Sequence, residues 1–382
     1  MIPYGRQEIL AEDIEAVVAV LQSDFITQGP AVVQFEQALA KEVGAAQAVA
    51  FNSATSALHV ACLALGLGAG DWLWTVPNTF VASANCALYC GAQVDFVDID
   101  PRSYNMSVDA LAEKLRWAEG AGKLPKVVIP VHFAGQSCQM SEIKALADQY
   151  GFALIEDASH AIGGRYLDQP IGACQYADIT VFSFHPVKII TTAEGGVATC
   201  KSKQLADTLA RLRSHGVTRD PSLISAEDEG GWYYEQIELG FNYRMSDLHA
   251  ALGVSQLQRL STYIERRHEI KQRYDALLAD LPLTVPWQHP DSHSALHLYP
   301  IQLHDRAERR RVFDDLRQAG IGVNVHYIPV HTQPYYQKRG FAWGDFPQAE
   351  AYYQGAISLP MFPTLSAAQQ DEVVMALQKA LA

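Results

Sequence analysis

The sequence predicts an α/β fold built on a largely parallel sheet. Two observations carry that prediction. Through residues 48–184, short apolar runs rich in β-branched and aromatic residues alternate with longer amphipathic stretches at helical spacing. Capping signals stand between them, such as Ser107 ahead of one amphipathic stretch and Gly151 behind another. Parallel neighbours need crossover connections, so this alternation describes a sheet covered by helices. At 382 residues the chain is too long for one small core. A large α/β domain over 1–255 and a smaller α+β domain over 256–382 are expected.

Composition narrows the function classes. The chain is 49% hydrophobic and 19% charged, so it has the means to build a core. A formal net charge of −13 makes nucleic acid and anionic membrane surfaces poor partners, while a local basic pocket still suits a phosphate. The cysteines, at 62, 86, 90, 138, 174 and 200, form no CxxC pair and lie in apparent core elements. They read as reduced residues, neither a disulfide frame nor a metal site. The start, MIPYGRQEIL, has no basic-then-apolar pattern, and no apolar run reaches membrane-spanning length. A cytoplasmic protein is expected.

The elements follow in order. Residues 11–23 place Ile14, Val17, Val18 and Leu21 at helical spacing, FITQGP (25–30) is a turn, and 33–43 is a second helix. A strand at 48–51 runs into NSATSALHVACLAL (52–65), a helix opened by hydroxyl residues. Strands are predicted at 72–76, 94–99, 127–133, 152–155 and 179–184, with helices within 77–88 and at 107–117 and 140–150. A short apolar run, 197–199, follows the loop that contains Lys188. Residues 205–214 form a helix, and 216–238, rich in Gly, Asp and Glu, a long loop or flap. Residues 246–279 read as one long helical stretch. Three prolines in 281–290 mark a domain edge. Strands at 295–303 and 323–327 flank a helix at 306–318, and 367–381 is the closing helix.

In such sheets ligands sit at the carboxyl ends of strands. Residues 52–56, 77–80, 157–160 and 183–188 all follow strands directly. Whether they converge depends on strand order, which the sequence does not state. The helix start at 52–56 offers unpaired N–H groups and suits a phosphate, with Ser53, Thr55 and Ser56 as hydroxyl donors. Plain capping by Asn52 or Ser53 explains the same residues. Lys188, between Val187 and Ile189, is either a loop-tip lysine reaching water or a desolvated amine able to attack a carbonyl. A Schiff-base lysine, a carboxylate after another strand and a phosphate cradle together meet the needs of pyridoxal 5′-phosphate. Phe80 is available to lie on its ring face.

Six motifs extend this reading. NSATSAL (52–58), EDASHAIG (156–163), SFHPVK (183–188), TAEGG (192–196), GFNYRM (240–245) and HYIPVH (326–331) stand in the order found in one family. They resemble the DegT/StrS family of sugar-nucleotide aminotransferases. The resemblance covers nearly the whole chain. It implies fold type I, the aspartate aminotransferase-like architecture, with a mixed, mostly parallel sheet. It further implies that Lys188 carries pyridoxal phosphate and shuttles the proton, and that Asp157 pairs with the pyridine nitrogen. His160 stands near the phenolic oxygen, where many relatives carry glutamine, and a satisfied polar residue at a helix start is the plainer alternative. By the same resemblance Phe80 stacks on the ring, unless it is a core aromatic. Ala54 through its backbone, Thr55, Ser56 and Ser183 cradle the phosphate. Asn242 reaches the neighbouring subunit's phosphate, which implies a homodimer, unless it is a turn residue. Relatives that act as dehydratases replace the lysine by histidine, so Lys188 favours transamination.

Within the family, His160, FHPVKIITTAEGG (184–196) and VHYIPVH (325–331) are most similar to the aminotransferases of pseudaminic acid synthesis. That similarity implies transfer from L-glutamate to C4 of a UDP-linked 4-keto sugar, with pyridoxamine phosphate between the two halves. Tyr4, the segment Asp24, Phe25, Ile26 and Thr27, and the segment Asn324, Val325, His326 and Tyr327 align with the substrate site. Arg244 is a candidate for anionic substrate groups or a surface salt bridge. Enzymes acting on other UDP- or dTDP-linked keto sugars share most of these residues. A dehydratase, a 3-aminotransferase and a non-catalytic regulator of the same fold are the rival expectations.

Overall fold

The computed structural model describes residues 1–225 and 230–382. Seven strands form the main sheet, in the order Gln47–Phe51, Gly196–Cys200, Ile179–Ser183, Ala153–Asp157, Val127–Ile129, Trp72–Thr75 and Gln93–Phe96. The last five pair in parallel, while Gly196–Cys200 runs against both of its neighbours. The expected mixed, mostly parallel sheet is therefore present. The reversal has a local cause. Residues 184–195 return the chain directly alongside Ile179–Ser183, and so short a connection permits only an antiparallel neighbour.

Helices Ala54–Ala64, Ala82–Tyr89, Val108–Ala121 and Met140–Tyr150 provide the crossovers. Apolar side chains such as Phe51, Trp74, Phe96 and Ile155 are fully buried between the layers. On the other face, Phe35 and Phe184 meet edge to face with centroids 5.3 Å apart. Helix Pro30–Val43 begins where it does because Asp247 accepts the N–H groups of Gly29 and Ala31, both at 2.8 Å.

A second, antiparallel sheet contains Leu283–Thr284, Tyr299–Leu303 and Ala356–Leu359. Its core includes Ile270, Tyr274, Val312, Leu316 and Leu377 from helices Leu260–Leu278, Arg309–Gln318 and Ala367–Leu381. The N-terminus is tied to this lobe. Ile2 is buried and bridges to Ile321, and Met361 N–H donates to Tyr4 O at 3.0 Å.

Several expectations need correction. Residues 323–327 are not a strand, since only Asn324 bridges, to Ser358. The stretch 246–279 is two helices, Asp247–Leu257 and Leu260–Leu278. The break lies where Gln256 and Arg259 both turn to the buried carboxylate of Asp13. The strand predicted at 127–133 stops at Ile129, and Ala134 beyond it takes φ 55°. The loop expected at 216–238 contains a short antiparallel pairing of Val217–Thr218 with Glu235–Gln236, and its residues 226–229 lie outside the described residues. Among the described residues, no helix is long and apolar enough to cross a membrane.

Candidate active site

The four strand-end segments do converge. Residues from all of them line one cavity of about 470 Å³, joined by Tyr4 and Asn324–Tyr327 from the smaller lobe.

Lys188 sits in the hairpin loop between Ile179–Ser183 and Gly196–Cys200. The loop is braced at its neck, where Phe184 N–H donates to Gly195 O and Thr192 N–H to Phe184 O, each at 3.0 Å. Lys188 N–H donates to His185 O at 2.9 Å. The side chain lines the cavity, and it is not a loop tip reaching bulk water. Burial pulls its amine down to about 8, and the charge of Asp157 opposes the fall. At neutral pH the free amine, the nucleophilic form, is thus far more populated than for an ordinary lysine, though the ammonium still predominates.

Asp157 ends its strand and faces the same space. Ser83 Oγ donates to its Oδ2 at 2.6 Å, and Ser159 N–H donates to Oδ1 at 3.1 Å. With its proton committed there, Ser83 accepts from Thr79 Oγ1 at 2.9 Å. Thr79 and Ser83 lie four residues apart at the start of an alanine-rich helix. They were not singled out in the sequence, although two hydroxyls one turn apart on a buried face are the signal that marks them.

At the start of helix Ala54–Ala64 capping leaves N–H groups unpaired. Ser53 caps by accepting Ser56 N–H at 3.1 Å. The N–H groups of Ala54 and Thr55 have no partner within the helix, and both residues line the cavity. Strand residue Gly196 lies against this start, so close that a Cβ there would stand 2.4 Å from Ala54 N. Ser56 does not add a donor as expected, because its hydroxyl is spent on Asn52 Oδ1 at 2.6 Å.

The remaining wall is rich in histidine. His160, His297 and His326 are all buried, and burial, with Lys188 nearby, holds each imidazole well below its usual pKa. His297 was missed because a lone histidine in the apolar run ALHLYP reads as core. Tyr327 contacts His160, and Tyr4 lies 5.5 Å from the His326 ring. Ser183 and Val325 also line the cavity. Phe80 is 60% exposed on its rim, so it is not a core aromatic.

Other predicted residues lie elsewhere on the chain. Asp24, Phe25, Ile26 and Thr27 form a separate surface, with Thr27 bridged to Ser246. Arg244 bridges to Phe51 and Asn242 to Ser214. Within one chain these six residues are not part of the cavity lining.

A desolvated amine, a fixed carboxylate and a helix start with free N–H groups now share one cavity. The comparisons with known proteins agree. The model of the DegT/DnrJ/EryC1/StrS aminotransferase family matches residues 7–378. The spore coat polysaccharide biosynthesis protein SpsC of Bacillus subtilis is 39% identical, over 99% of this chain and 96% of its own. The UDP-4-amino-4,6-dideoxy-N-acetyl-beta-L-altrosamine transaminase of Campylobacter jejuni is 38% identical, over 94% of this chain and 92% of its own. Among solved structures, Helicobacter pylori PseC, an aminotransferase involved in pseudoaminic acid biosynthesis, superposes with a TM-score of 0.91 at 30% identity, covering 100% of this chain and 99% of that one. The PLP-form of Spr1654 from Streptococcus pneumoniae gives 0.89 at 29% identity, with both chains fully covered. The chain belongs to the DegT/DnrJ/EryC1/StrS family and is a pyridoxal-phosphate-dependent nucleotide-sugar aminotransferase of fold type I.

Proposed function

We propose that the protein transfers an amino group from L-glutamate to C4 of a UDP-linked 4-keto-6-deoxy-N-acetylhexosamine. The product is UDP-4-amino-4,6-dideoxy-N-acetyl-β-L-altrosamine. The observation that carries the reading is Lys188, an amine lowered to about 8 inside the cavity where the other strand-ends meet. The choice of sugar is supported by the Campylobacter transaminase, 38% identical over 94% of the chain.

The donor set fits pyridoxal phosphate. Ala54 and Thr55 N–H groups at the helix start, with Ser183 nearby, suit the phosphate, and Gly196 leaves the strand close enough to complete that cradle. Asp157, its plane fixed by Ser83 and Ser159, would hold a proton on the pyridine nitrogen. From the rim, Phe80 would cover the ring. The cofactor supplies an electrophilic aldehyde and an electron-accepting ring. Lys188 Nζ would take the proton from the donor's α-carbon and deliver it to the cofactor's C4′ carbon, acting as base and then acid. In the second half-reaction it moves the proton in the opposite sense.

One chain does not bring Asn242, Arg244 and Asp24–Thr27 to its own cavity, and this supports a homodimer in which they reach the neighbour's. Incubating the protein with the UDP-linked 4-keto sugar and glutamate, then analysing the product by mass spectrometry and NMR, tests the reading. The 4-amino altrosamine is expected; a 3-amino product, or none, overturns it. A second reading, another nucleotide-sugar 4- or 3-aminotransferase, is favoured by SpsC, which is as identical to this chain as the transaminase is.

A further inference from the structure

We propose that a second cavity, between the two lobes, binds a small organic oxyanion, and that its occupancy is transmitted to the peptide group joining His326 to Tyr327 in the active cavity. The site is separate from the one that suits the cofactor, and it does not depend on which sugar is aminated.

The cavity has a volume of about 340 Å³, within the range of small-molecule sites. Its walls come from three parts of the chain. Tyr104 follows strand Gln93–Phe96, residues 302–306 belong to the smaller lobe, and Gln348 and Tyr352 lie on helix Pro347–Gly355.

The lining defines the ligand. Among the described residues, Arg306 is the permanent charge that lines the cavity, and no carboxylate does. Its guanidinium has no hydrogen-bond or ion-pair partner among them, and neither has the Tyr104 hydroxyl a hydrogen-bond partner. Tyr104 is only 6% exposed. Burial and the charge of Asp100 push its phenol up to about 12, against the pull of Arg306, so at neutral pH it keeps its proton and is a donor. Asp100 is spent on its own loop, where Oδ1 accepts from Arg102 N–H at 3.1 Å, Ser103 N–H at 2.8 Å and Ser103 Oγ at 2.9 Å. An unpaired cation and an unpartnered buried donor suit a carboxylate or a phosphate group. The Tyr104 and Tyr352 rings, with centroids 4.3 Å apart, offer an apolar surface to the rest of the ligand.

The same two tyrosines hold a wall of the active cavity. The Tyr352 hydroxyl donates to His326 O at 2.9 Å. Asn78 Nδ2 donates to Tyr104 O at 3.3 Å, and Asn78 Oδ1 accepts from Tyr327 N–H at 3.3 Å. The carbonyl and the N–H of one peptide group are thus tied to the second cavity, one directly and one through Asn78. Asn78 is fully buried, so water does not stand in for its bonds. His326 and Tyr327 line the active cavity. A ligand that moves either tyrosine therefore changes the hydrogen bonds of that peptide group.

Phenyl phosphate and benzoate, which share a ring and differ in the oxyanion, are the probes. Titrated into the cofactor-loaded protein and followed by ligand-observed NMR, at least one should bind saturably. The tighter of the two identifies the oxyanion that the site takes. Arg306→Gln should weaken it about tenfold, the worth of a charge-assisted hydrogen bond, and Tyr104→Phe about 3- to 10-fold. In protein labelled with ¹⁵N-tyrosine, the Tyr327 amide resonance, assigned with Tyr327→Phe, should move as the probe fills the site. At the same probe concentration in Arg306→Gln it should stay near its free position. Saturable binding of neither probe, equal affinity in Arg306→Gln, or a Tyr327 amide that stays in place while the wild-type site fills would each overturn the proposal. Neither readout requires turnover. A wild-type protein that fails to aminate the 4-keto sugar would thus remove the proposed function, while these results still decide the second site.

Discussion

Lys188 takes its reactivity from its surroundings. An unperturbed lysine titrates near about 10.4, whereas burial brings this one to about 8. Asp157 works against burial by favouring the ammonium. In cofactor-free protein, acylation of Lys188 by an amine-directed reagent, followed by peptide mass spectrometry, should rise with a midpoint near 8. Asp157→Asn should move that midpoint lower, because it removes the charge that stabilises the protonated form. The same shift has a sign for stability. Between the folded and unfolded pKa values the unfolded chain binds more protons, so this group's contribution grows as pH rises from about 8 towards about 10.4. Gly196 is a second decisive residue. A Cβ there would stand 2.4 Å from Ala54 N and 2.6 Å from Ala54 Cα, main-chain atoms that cannot rotate aside. Gly196→Ala should lower pyridoxal phosphate affinity at least tenfold by spectrophotometric titration. It should also cost about 1–3 kcal/mol in stability, as overpacking does. Affinity equal to that of the wild type would separate the helix start from phosphate binding. At this scale the sequence was readable where a residue's role is local. Lys188, Asp157 and the hydroxyl-rich helix start could be picked out. Partners far apart in sequence could not: Ser83 is 74 positions from Asp157, and Tyr327 is 167 from His160.

Elements depend on a few buried carboxylates. Asp13 joins helix Ala11–Leu21 to the end of helix Asp247–Leu257. It accepts from Ser255 Oγ, Gln256 Nε2 and Arg259 Nη2 at 2.6–2.7 Å, and from Leu10 N–H at 2.9 Å. Burial pushes its pKa up, but these four donors outweigh burial and hold it below the usual value. Its stabilisation is present above about pH 3.9 and is lost as pH falls through the lower folded pKa. Asp13→Ala should cost about 3 kcal/mol in denaturant unfolding, by leaving buried donors unpaired. A loss below about 0.5 kcal/mol would show that the two helices dock without it. The same residue explains a misreading. Periodicity runs through 246–279 without interruption, and only the distant Asp13 shows why Gln256 and Arg259 end one helix and start another. Helices bounded by local signals were legible, as with Ser107 at the start of one and Gly151 at the end of another. The β-rich run 323–327 misled because a strand exists only where a neighbour pairs with it, and there Asn324 alone pairs.

At the scale of the molecule, alternation of elements predicted the kind of sheet, while strand order and the reversed strand Gly196–Cys200 came only from the structure. Convergence of four strand-ends follows from that order. A second feature belongs to this scale. Phe25, Ile26 and Leu239 are 52–78% exposed, and Asn242 and Arg244 lie outside their own chain's cavity. Exposed apolar residues flanking predicted site residues suit burial against a second copy. Sedimentation should find a dimer, and Leu239→Asp combined with Ile26→Asp should yield a monomer with reduced pyridoxal phosphate affinity. An active wild-type monomer would contradict that assembly. The central claim is more direct, namely that this fold gathers its strand-ends around one reactive amine. Incubating the protein with pyridoxal phosphate, reducing it with borohydride and mapping the label by peptide mass spectrometry tests it in one step. The account predicts a single label at Lys188, absent in Lys188→Ala. A label on another lysine, or one that survives that substitution, would contradict it.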